Sequence, residues 1–440
     1  MAPEVVLGSL FFEPIRWVLG SSKYMRISPL FFMLIVAFLG WLDYYAYQAT
    51  KTLLIDKKSS VKTSVRYLYL IQAFAMLSLV VYLRFVQAGT VPFSFLLSII
   101  FMAYSAKLGA VIFIFFDDIR RVLGLFFSGR KRRYDKRVAS GQKMPRSKFL
   151  ARSAVVMATL PIVTMSFGIV RGAYDYRVRR KRVYLPNLPK QFEGIKIGQL
   201  SDIHSGSFYD KVAVEGGVEM LMAEKPDMIF FTGDLVNNET KEMADYFNLF
   251  SKVKADLGVY STLGNHDYGD YKAWSSVAEK SQNLKEMIKV HERMGWDLLM
   301  NENRSIKIGT DQISVLGVEN WGTGRFAKYG QLDQTALNAE GDVKLLLSHD
   351  PSHWDAQVRG QQPDIDIMFA GHTHGMQLGV EIGDFRWSPS KYIYKQWADL
   401  YQENNQYLYV NRGFGFLGFP GRIGILPEIT IMELTSRPLV

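Results

Sequence analysis

Two histidines separated by one residue stand between glycines near the end of this 440-residue chain, in the stretch Gly371-His372-Thr373-His374-Gly375. They directly follow an apolar run, Ile365 to Ala370, that is typical of a buried strand ending in a tight glycine turn. Alternate residues of an extended turn lie on the same side, so two imidazoles at this spacing would crowd one another in a core. They can instead bind two metal ions that lie close together.

Four other apolar runs also end in side chains of the kinds that bind metal ions. The stretches that follow these runs are Ser201-Asp202-Ile203-His204, Thr232-Gly233-Asp234, Gly264-Asn265-His266-Asp267 and Ser348-His349-Asp350. The carboxyl ends of neighbouring strands in an α/β sheet converge on one crevice, where ligands bind. The sequence therefore predicts strands that bring carboxylates, an amide and imidazoles to one site.

At these residues the sequence resembles the calcineurin-like metallophosphoesterases, whose blocks D-x-H, G-D, G-N-H-[DE], H and G-H-x-H occur here in that order. The resemblance implies that the domain binds two divalent metal ions. The ligands would be Asp202, His204, Asp234 and His374 for one ion, and Asp234, Asn265, His349 and His372 for the other, with the Asp234 carboxylate bridging. Mixed oxygen and imidazole ligands suit Mn, Fe or Zn, and the chain has no cysteine that could form a thiolate site.

The resemblance also implies a reaction, the hydrolysis of a phosphate ester or pyrophosphate. Paired metal ions lower the pKa of a shared water, bind two phosphoryl oxygens and orient in-line attack of the resulting hydroxide on phosphorus. His266 would lie beside the leaving oxygen as a general acid or transition-state stabiliser. Phosphatases of the family have an aspartate three residues after the bridging aspartate, whereas this chain has Asn237. An amide can hold the imidazole but cannot stabilise its protonated form by charge.

The fold implied by the resemblance is of the α/β class, a four-layer α/β/β/α sandwich with two mixed sheets packed face to face. The pattern of the chain predicts further strands and alternating helices in this region. The strands are Asp311 to Val318, Gln406 to Val410 and Glu428 to Leu434, and the helices are Lys211 to Glu224, Met243 to Val253 and Trp274 to Met294. We interpret His291, on a predicted helix face, and His353, at a predicted helix start, as packing residues.

The residues ahead of this domain are dominated by long apolar runs. Four of them, Ile27 to Tyr47, Tyr67 to Leu83, Val91 to Phe116 and Ser153 to Val170, predict an all-α transmembrane region, because a bilayer core needs about 20 apolar helical residues. Buried helices of a soluble protein are the disfavoured alternative, since they rarely stay uncharged for so long. Lys107 in the third run would be a functional charge, face a neighbouring helix or extend towards the membrane surface.

These runs predict four segments of the chain. Residues 1–26 form an interfacial segment, with a spanning helix as the less favoured alternative. Residues 27–171 form the membrane region, 172–182 a basic linker and 183–440 the phosphoesterase domain. The formal net charge of +10 does not predict nucleic-acid binding, because the basic residues cluster beside apolar segments, as is typical of membrane flanks. The lipid bilayer is therefore the expected partner of the first part of the chain.

The side of the membrane follows from the basic loops between the first and second and between the third and fourth predicted spans. With four spans these loops share a side, and the positive-inside rule makes that side cytoplasmic. We therefore expect a multi-pass protein of the plasma (inner) membrane with an extracytoplasmic catalytic domain. The basic cluster from Arg177 to Arg182, which follows the fourth span, argues for the opposite orientation.

A glycine-rich loop with several phenylalanines, Asn411 to Arg422, allows two interpretations. It either packs under the edge of a sheet, or it offers a surface to acyl chains or the bilayer, with Arg412 or Arg422 binding a substrate phosphate. In the second case the aromatic segment Trp387 to Tyr401 would form the other wall.

Three functions remain open on the sequence. The first is a membrane-anchored hydrolase of a phosphate ester or pyrophosphate on a lipid-linked substrate. Enzymes that cleave UDP-diacylglucosamine are relatives of this general kind, although that substrate would require a cytoplasmic domain. The second is an anchored hydrolase of soluble nucleotides or phosphodiesters. The third is a catalytically silent membrane scaffold, which the complete set of ligand positions argues against.

Overall fold

A computed structural model describes residues 29–54, 57–83, 90–127 and 146–438. The chain divides into a helical unit, Tyr24–Gln87 with Phe95–Phe167, and a second unit formed mainly by Gly168–Val440. The predicted interfacial segment, residues 1–26, lies outside the described residues, as does most of the basic loop between the third and fourth predicted spans.

The helical unit consists of long apolar helices. They are α1 (Pro29–Leu53), α2 (Ser59–Tyr82), α3 (Val91–Phe127) and α4 (Arg146–Val170). Each contains a stretch long and apolar enough to cross a bilayer, at the positions that the sequence predicts. Helix α2 begins before the predicted Tyr67, because its first two turns are polar and the prediction followed the apolar residues alone. Large side chains such as Phe74 and Val163 are exposed, as expected of helices that face lipid.

Lys107 of α3 has a charged partner inside the helical unit. Its ammonium forms an ion pair with the Asp43 carboxylate of α1, and the Tyr104 hydroxyl donates a hydrogen bond of 3.0 Å to the same carboxylate. An ionisable side chain within a membrane segment is costly unless it is paired. The structure therefore places Lys107 against a neighbouring helix, which is one of the predicted alternatives.

The second unit is built on two mixed six-stranded sheets. The first has the order β1-β14-β2-β3-β4-β5, in which β2, β3, β4 and β5 are parallel and β14 pairs antiparallel with β2. Its strands are β1 (Arg177–Tyr184), β2 (Lys196–Leu200), β3 (Met228–Thr232), β4 (Val259–Thr262), β5 (Asp297–Leu298) and β14 (Glu428–Thr435).

The second sheet has the order β12-β13-β9-β8-β7-β6, in which β13, β9, β8 and β7 are parallel and both edge strands are antiparallel. Its strands are β6 (Glu302–Ile308), β7 (Asp311–Gly317), β8 (Lys344–Leu347), β9 (Ile367–Ala370), β12 (Asp399–Glu403) and β13 (Gln406–Val410). A separate hairpin of β10 (Val380–Ile382) and β11 (Phe385–Trp387) lies outside both sheets.

The two sheets pack face to face and carry helices on their outer faces. Phe230 of β3 and Phe369 of β9 meet edge to face in the inner core, with ring centroids 4.9 Å apart. The neighbouring Phe231 points to the opposite face, where it packs in the core that contains helix residues. Strands covered on both faces read as continuous apolar runs, which is why these strands were visible in the sequence.

The helices of the second unit complete the outer layers. They are α5 (Lys211–Ala223), α6 (Phe247–Phe250), α7 (Val277–Met294), α8 (Leu332–Ala336) and α9 (Arg359–Gln361). Helices α5 and α7 contribute to the core outside the first sheet, and Leu332 of α8 and Trp354 to the core outside the second. The predicted four-layer α/β/β/α fold is confirmed. The predicted helix from Met243 to Val253 is reduced to the single turn of α6.

The predicted basic linker is wrong. Residues 172–182 instead form a short turn, Gly172–Tyr174, and most of strand β1, which pairs in parallel with β14. The basic side chains of β1 find acidic partners that are distant in sequence, including Glu381 for Arg179 and Asp399 for Lys181. Charge density alone suggested a solvated linker, because these partners could not be read from the local sequence.

Candidate metal centre

The predicted ligands all lie in loops at the carboxyl ends of parallel strands. Asp202 and His204 follow β2, Asp234 follows β3, Asn265 follows β4, His349 follows β8, and His372 and His374 follow β9. Since β2, β3 and β4 belong to one sheet and β8 and β9 to the other, the two sheets together supply the site. This is the crevice that the sequence predicts.

One group of potential ligands comprises Asp202, His204 and His374, and we call it the first group. The Nε2 atoms of His204 and His374 are 3.0 Å apart, and Nε2 of His374 is 3.2 Å from Oδ1 of Asp202. All three side chains are buried. Their ligand atoms therefore converge on one point, as the atoms around a metal ion do.

The second group comprises Asp234, His349 and His372. Nε2 of His349 is 3.1 Å from Oδ2 of Asp234 and 3.2 Å from Nδ1 of His372. The same Oδ2 atom of Asp234 is 3.5 Å from Nε2 of His204 in the first group. Asp234 thus lies between the two groups, where a bridging carboxylate would have to be.

Asn265 provides a test of whether these residues fit metal ions. Its Nδ2 donates a hydrogen bond of 2.7 Å to the Tyr271 hydroxyl, which orients the amide. Its Oδ1 is buried and has no hydrogen-bond partner among the described residues. Buried polar atoms in native proteins are normally satisfied. A carbonyl oxygen left open beside imidazoles and carboxylates fits a divalent cation with mixed oxygen and nitrogen ligands.

Backbone and amide carbonyls fix the orientation of two of the imidazoles. Nδ1 of His204 lies 3.0 Å from Oδ1 of Asn237, and Nδ1 of His349 lies 2.7 Å from the carbonyl oxygen of Thr232. A carbonyl oxygen only accepts, so each Nδ1 carries the hydrogen and Nε2 of each ring faces the site, where it offers a lone pair once the ring is neutral. These tautomers are the ones that can bind a cation through Nε2.

Burial and neighbouring charges shift the pKa values of the buried ligand side chains in opposite directions. Burial lowers the pKa of His204 well below its ordinary value and so favours the neutral ring. Burial also opposes protonation of His349, but the facing Asp234 carboxylate raises its pKa to about 10. Burial alone would raise the pKa of Asp234, but the surrounding imidazoles, His349 first, hold it well below its usual range. Asp234 is therefore ionised, as a metal ligand must be.

The ligand loops have an unusual backbone conformation. Asp202, His204, Asp234, His372 and His374 all have positive φ angles, between 49° and 69°. This left-handed region is costly for residues with a side chain, and such strain concentrates at functional sites. Gly371 permits the close approach of the last loop, since a Cβ atom there would lie 2.1 Å from Oδ2 of Asp202.

His266 lies beside both groups. Its backbone N–H donates 2.8 Å to Oδ1 of Asp234, and its ring is 5.0 Å from that of His204. Its Nδ1 donates 2.7 Å to the backbone carbonyl of Asn237, so Nε2 of the neutral ring is an acceptor. Burial lowers the pKa of His266, although Asp234 acts to raise it.

The role predicted for Asn237 needs a correction. Its backbone carbonyl, and not its amide side chain, holds His266, while the side-chain oxygen holds His204. The sequence position suggested a side-chain contact by resemblance, but the turn after Asp234 presents the main chain to His266 instead. His266 is therefore oriented in this chain, although the aspartate found at position 237 in the phosphatases that the chain resembles is replaced by asparagine.

Asp267 is a supporting residue to which the sequence analysis gave no role. Its carboxylate accepts hydrogen bonds from the backbone N–H groups of Asp234, Leu235 and Gly264, at 2.9, 2.8 and 2.9 Å. It thereby ties the loop after β3 to the loop after β4. Burial, together with the Asp234 charge, raises its pKa to about 7. The signal was present in the G-N-H-[DE] block, whose last position is this residue.

Two aromatic residues contact His372 of the second group and a third lies beside His266, and all three were missed as individual residues. The Tyr394 hydroxyl is 2.7 Å from Nε2 of His372, and the Phe326 ring meets the His372 ring edge to face at 5.1 Å. The Tyr271 ring lies 4.4 Å from that of His266. Tyr394 belongs to the segment Trp387 to Tyr401 that the sequence indicates as a wall, whereas no sequence pattern pointed to Phe326.

The structure does not support substrate binding by Arg412 or Arg422. Arg412 is fully buried in ion pairs with Glu428 at 2.6 Å and Glu381 at 2.7 Å. Arg422 is buried too, and its guanidinium donates to backbone carbonyls, including that of Gly415 at 2.6 Å. A guanidinium with its donors engaged inside the domain has none to offer a phosphate.

The remaining parts of the loop and two histidines are packing residues. Phe414 and Phe416 are buried in the core outside the first sheet, which favours the first interpretation of the loop 411–422. His291 and His353 are buried as well, and each accepts or donates one hydrogen bond with a serine, at 2.9 and 2.8 Å. Burial lowers the pKa of His291 to about 3 and that of His353 to about 4, so both are neutral packing groups.

Comparisons with known families match both parts of the chain. Residues 25–173 match the model of a probable calcineurin-like phosphoesterase transmembrane domain, and residues 195–376 match the model of the calcineurin-like phosphoesterases. A transmembrane protein with a metallophosphoesterase domain from Danio rerio is 28% identical over 334 residues, which are 73% of this chain and 70% of the relative.

Two bacterial relatives are similar over a smaller share of the chain. The uncharacterized metallophosphoesterase YkuE of Bacillus subtilis is 27% identical over 57% of this chain and 82% of its own length. The phosphodiesterase YaeI of Escherichia coli is 26% identical over 66% of this chain and 98% of its own length.

Proposed function

We propose that this chain, which belongs to the calcineurin-like metallophosphoesterases and carries their transmembrane domain, hydrolyses a phosphate ester or pyrophosphate at the centre formed by its two ligand groups. The observation that carries the proposal is the position of the Asp234 carboxylate, whose Oδ2 lies within 3.5 Å of an imidazole nitrogen from each group. A bridging carboxylate is what a two-metal hydrolase requires.

We assign the ligands as follows. Asp202, His204, Asp234 and His374 hold one divalent ion, and Asp234, Asn265, His349 and His372 hold the other. When bound, the ions, Mn, Fe or Zn by the chemistry of these ligands, supply a water of lowered pKa and positive charge for the phosphoryl oxygens.

The residues of the chain then perform three tasks. The two ligand groups fix the geometry of the site through their hydrogen bonds to Asn237, Thr232 and Asp267. His266 faces the site with Nε2, where a protonated ring donates to the leaving oxygen and a neutral ring does not. The carbonyl of Asn237 keeps that nitrogen pointed at the site in either state.

The substrate that we propose is lipid-linked, because the transmembrane region holds the hydrolase at a bilayer where such phosphoesters are found. A soluble phosphodiester is the second candidate, since a relative that aligns over 98% of its own length is named a phosphodiesterase. In both cases the same residues would hold the two ions, which would supply the activated water. The choice therefore concerns how the rest of the substrate is bound.

We place the catalytic domain outside the cytoplasm, at the plasma (inner) membrane, on the balance of basic residues in the loops between spans. A reporter enzyme that folds only outside the cytoplasm should then be active when it is fused after Val440. Protease added to spheroplasts should cleave the domain. Full protection until lysis would reverse the orientation and favour a cytoplasmic nucleotide-linked lipid as substrate.

The experiment that tests the reaction uses the full chain in lipid nanodiscs, loaded in turn with Mn²⁺, Fe²⁺ and Zn²⁺. Turnover is measured on a lipid phosphoester in the disc and on a soluble aryl phosphodiester, with Asp234→Asn as the inactive reference. Preference for the lipid phosphoester supports the first candidate, and equal turnover supports the second. Full metal occupancy without turnover of any phosphoester or pyrophosphate would overturn the assignment as a hydrolase.

A further inference from the structure

The β10–β11 hairpin, which follows the last ligand loop, turns its apolar side chains outward. Its register pairs Val380 with Trp387 and Ile382 with Phe385, so these four side chains share one face. Ile382 is 72% exposed and Phe385 63%. Large apolar side chains are more stable buried than left in water, so an exposed face of this kind favours an apolar partner.

The opposite face of the hairpin is charged and turned towards the domain. Glu381 pairs with the buried Arg412 at 2.7 Å and with Arg179 of β1, and Arg386 pairs with Asp399 at 3.0 Å. A hairpin on a soluble domain normally shows the reverse arrangement, with apolar residues inward and charges in water. Because the ion pairs fix the charged face inward, the apolar face stays outside.

The exposed apolar surface continues beyond the hairpin. Tyr392 is 68% exposed and Ile393 49%, and Trp387 donates to the Tyr392 hydroxyl at 3.5 Å, which joins the two parts. Lys391 and Lys395 are exposed beside them, Lys395 lies 3.7 Å from the exposed Asp355 carboxylate, and Asp384 is exposed at the hairpin turn. Apolar and aromatic side chains flanked by lysines are typical of a segment that lies in the boundary between lipid headgroups and acyl chains.

The base of the hairpin contacts a loop segment, Arg422 and Ile423, which in turn contacts the end of the fourth apolar helix. Leu378 forms a parallel bridge with Ile423, and the backbone N–H of Gly379 donates 2.8 Å to the Ile423 carbonyl. The preceding residue, Arg422, donates its backbone N–H to Gly168 in the last turn of α4, at 3.1 Å. Gly168 belongs to the same compact unit as the hairpin. Two successive loop residues therefore link the base of the hairpin to the last turn of α4 within the second unit.

We propose that the hairpin face Val380, Ile382 and Phe385, together with Tyr392 and Ile393, docks on the lipid surface of the bilayer that anchors the chain. The surface is apolar and aromatic where it projects and carries lysines at its side, and the loop 422–423 at its base hydrogen-bonds Gly168 in the last turn of α4. Tyr394 follows Ile393 directly and contacts the ligand His372, so docking places the second ligand group close to the lipid surface. This inference goes beyond the proposed reaction and needs no turnover for its test.

The natural chain has no cysteine, so single cysteines can report the depth of chosen residues. Ile382→Cys and Phe385→Cys are each labelled with the fluorophore NBD in the full chain, reconstituted in liposomes of phosphatidylcholine and phosphatidylglycerol. The control is Val277→Cys, 87% exposed at the start of α7, which precedes the edge strand β5 opposite β1. We expect blue-shifted emission and quenching by doxyl-labelled lipids at positions 382 and 385 but not at 277.

A second set of variants separates docking from local damage. With the label at Ile393→Cys, the double change Ile382→Glu with Phe385→Glu should abolish lipid quenching. The change Leu337→Glu, at another exposed apolar residue, should leave it unchanged. Loss of quenching in both would show a general effect of added charge and overturn the assignment of the face.

Three results would overturn the proposal. The first is emission at 382 and 385 as in water, equal to that at 277. The second is quenching that disappears as the chain is diluted in lipid, which would identify a second copy as the occupant. The third is quenching that requires an added lipid-linked phosphoester, which would identify substrate acyl chains. None of these results depends on activity, so the failure of this proposal and that of the proposed reaction are distinguishable.

Discussion

The two ligand groups differ in what lies behind them. Behind the first group are buried residues of the domain, with Asn237 holding His204 and the Nη2 atom of Arg422 lying 3.2 Å from Nδ1 of His374. In the second group His349 is also held, by the buried Thr232 carbonyl, but the partners of His372 and Asn265 are half-buried tyrosines, Tyr394 and Tyr271.

This difference assigns different tasks to the two halves of the centre. Groups locked by buried partners hold their geometry whatever approaches, whereas a ligand whose partner is partly exposed can respond to an incoming molecule. We infer that the first group is the fixed half and that substrate enters over the second. Substitutions behind the first group should then affect metal retention, and substitutions around the second should affect the rate.

The largest effect is expected from a substitution that disrupts both ligand groups at once. Asp234 belongs to both halves, so Asp234→Asn should abolish turnover and lower metal content in both, because a neutral amide cannot bridge two cations as a carboxylate does. Metal content is measured by mass spectrometry after desalting, alongside turnover. The matched control is Asp210→Asn at the start of α5, where asparagine caps a helix as well as aspartate does. Near-normal turnover of Asp234→Asn would contradict the bridging assignment.

The next effect concerns a residue that touches both halves without being a ligand. His266→Asn should leave metal content intact and reduce kcat by roughly 10²–10⁴, the usual contribution of a general acid. The loss should be smaller for a nitrophenyl ester, whose leaving group needs little protonation. Equal losses on good and poor leaving groups would rule out the acid role and leave electrostatic stabilisation.

The sequence identified the seven ligand positions and His266 because they follow apolar strands in a recognisable order. It also predicted the strands that carry them, since strands covered on both faces are continuous apolar runs. The identity of the supporting contacts was harder to read. Whether Asn237 holds His266 by its side chain or its carbonyl depends on the conformation of one turn, which residue types alone do not determine.

The predicted roles of several basic residues were wrong because their acidic partners come from distant parts of the chain. Arg412 and Arg422 looked like phosphate ligands because they flank a glycine-rich loop, but Glu381 and Glu428 neutralise Arg412 inside the domain. The basic residues 177–182 looked like a linker for the same reason. A charged residue is usually exposed, but it can be buried when the fold places a residue of opposite charge beside it. The local sequence does not show such a partner.

Asn237→Ala tests the fixed half alone. The change removes the acceptor of His204 but keeps the backbone carbonyl that holds His266, so metal affinity should fall about 10–100-fold, as for other second partners of metal-binding histidines. At saturating metal the rate should recover, because His266 is still in place. Asn237→Asp retains an acceptor and is the matched control. A rate that stays low at saturating metal would show that the side chain positions His266 after all.

Tyr394→Phe tests the second ligand group, over which we infer that substrate enters, and should have the smallest effect. The substitution keeps the ring that packs beside His372 but removes the hydroxyl 2.7 Å from its Nε2. Because His372 turns Nδ1 towards His349, the ligand itself is retained, and metal content should not change. We expect kcat to fall by about tenfold, the lower end for a lost partner of a metal-binding histidine. Tyr184→Phe, at the end of the edge strand β1, is the matched control and should retain the full rate. If Tyr394→Phe instead released metal while kcat at saturating metal stayed normal, the second half would be as fixed as the first, and the inferred side of substrate entry would have to be abandoned.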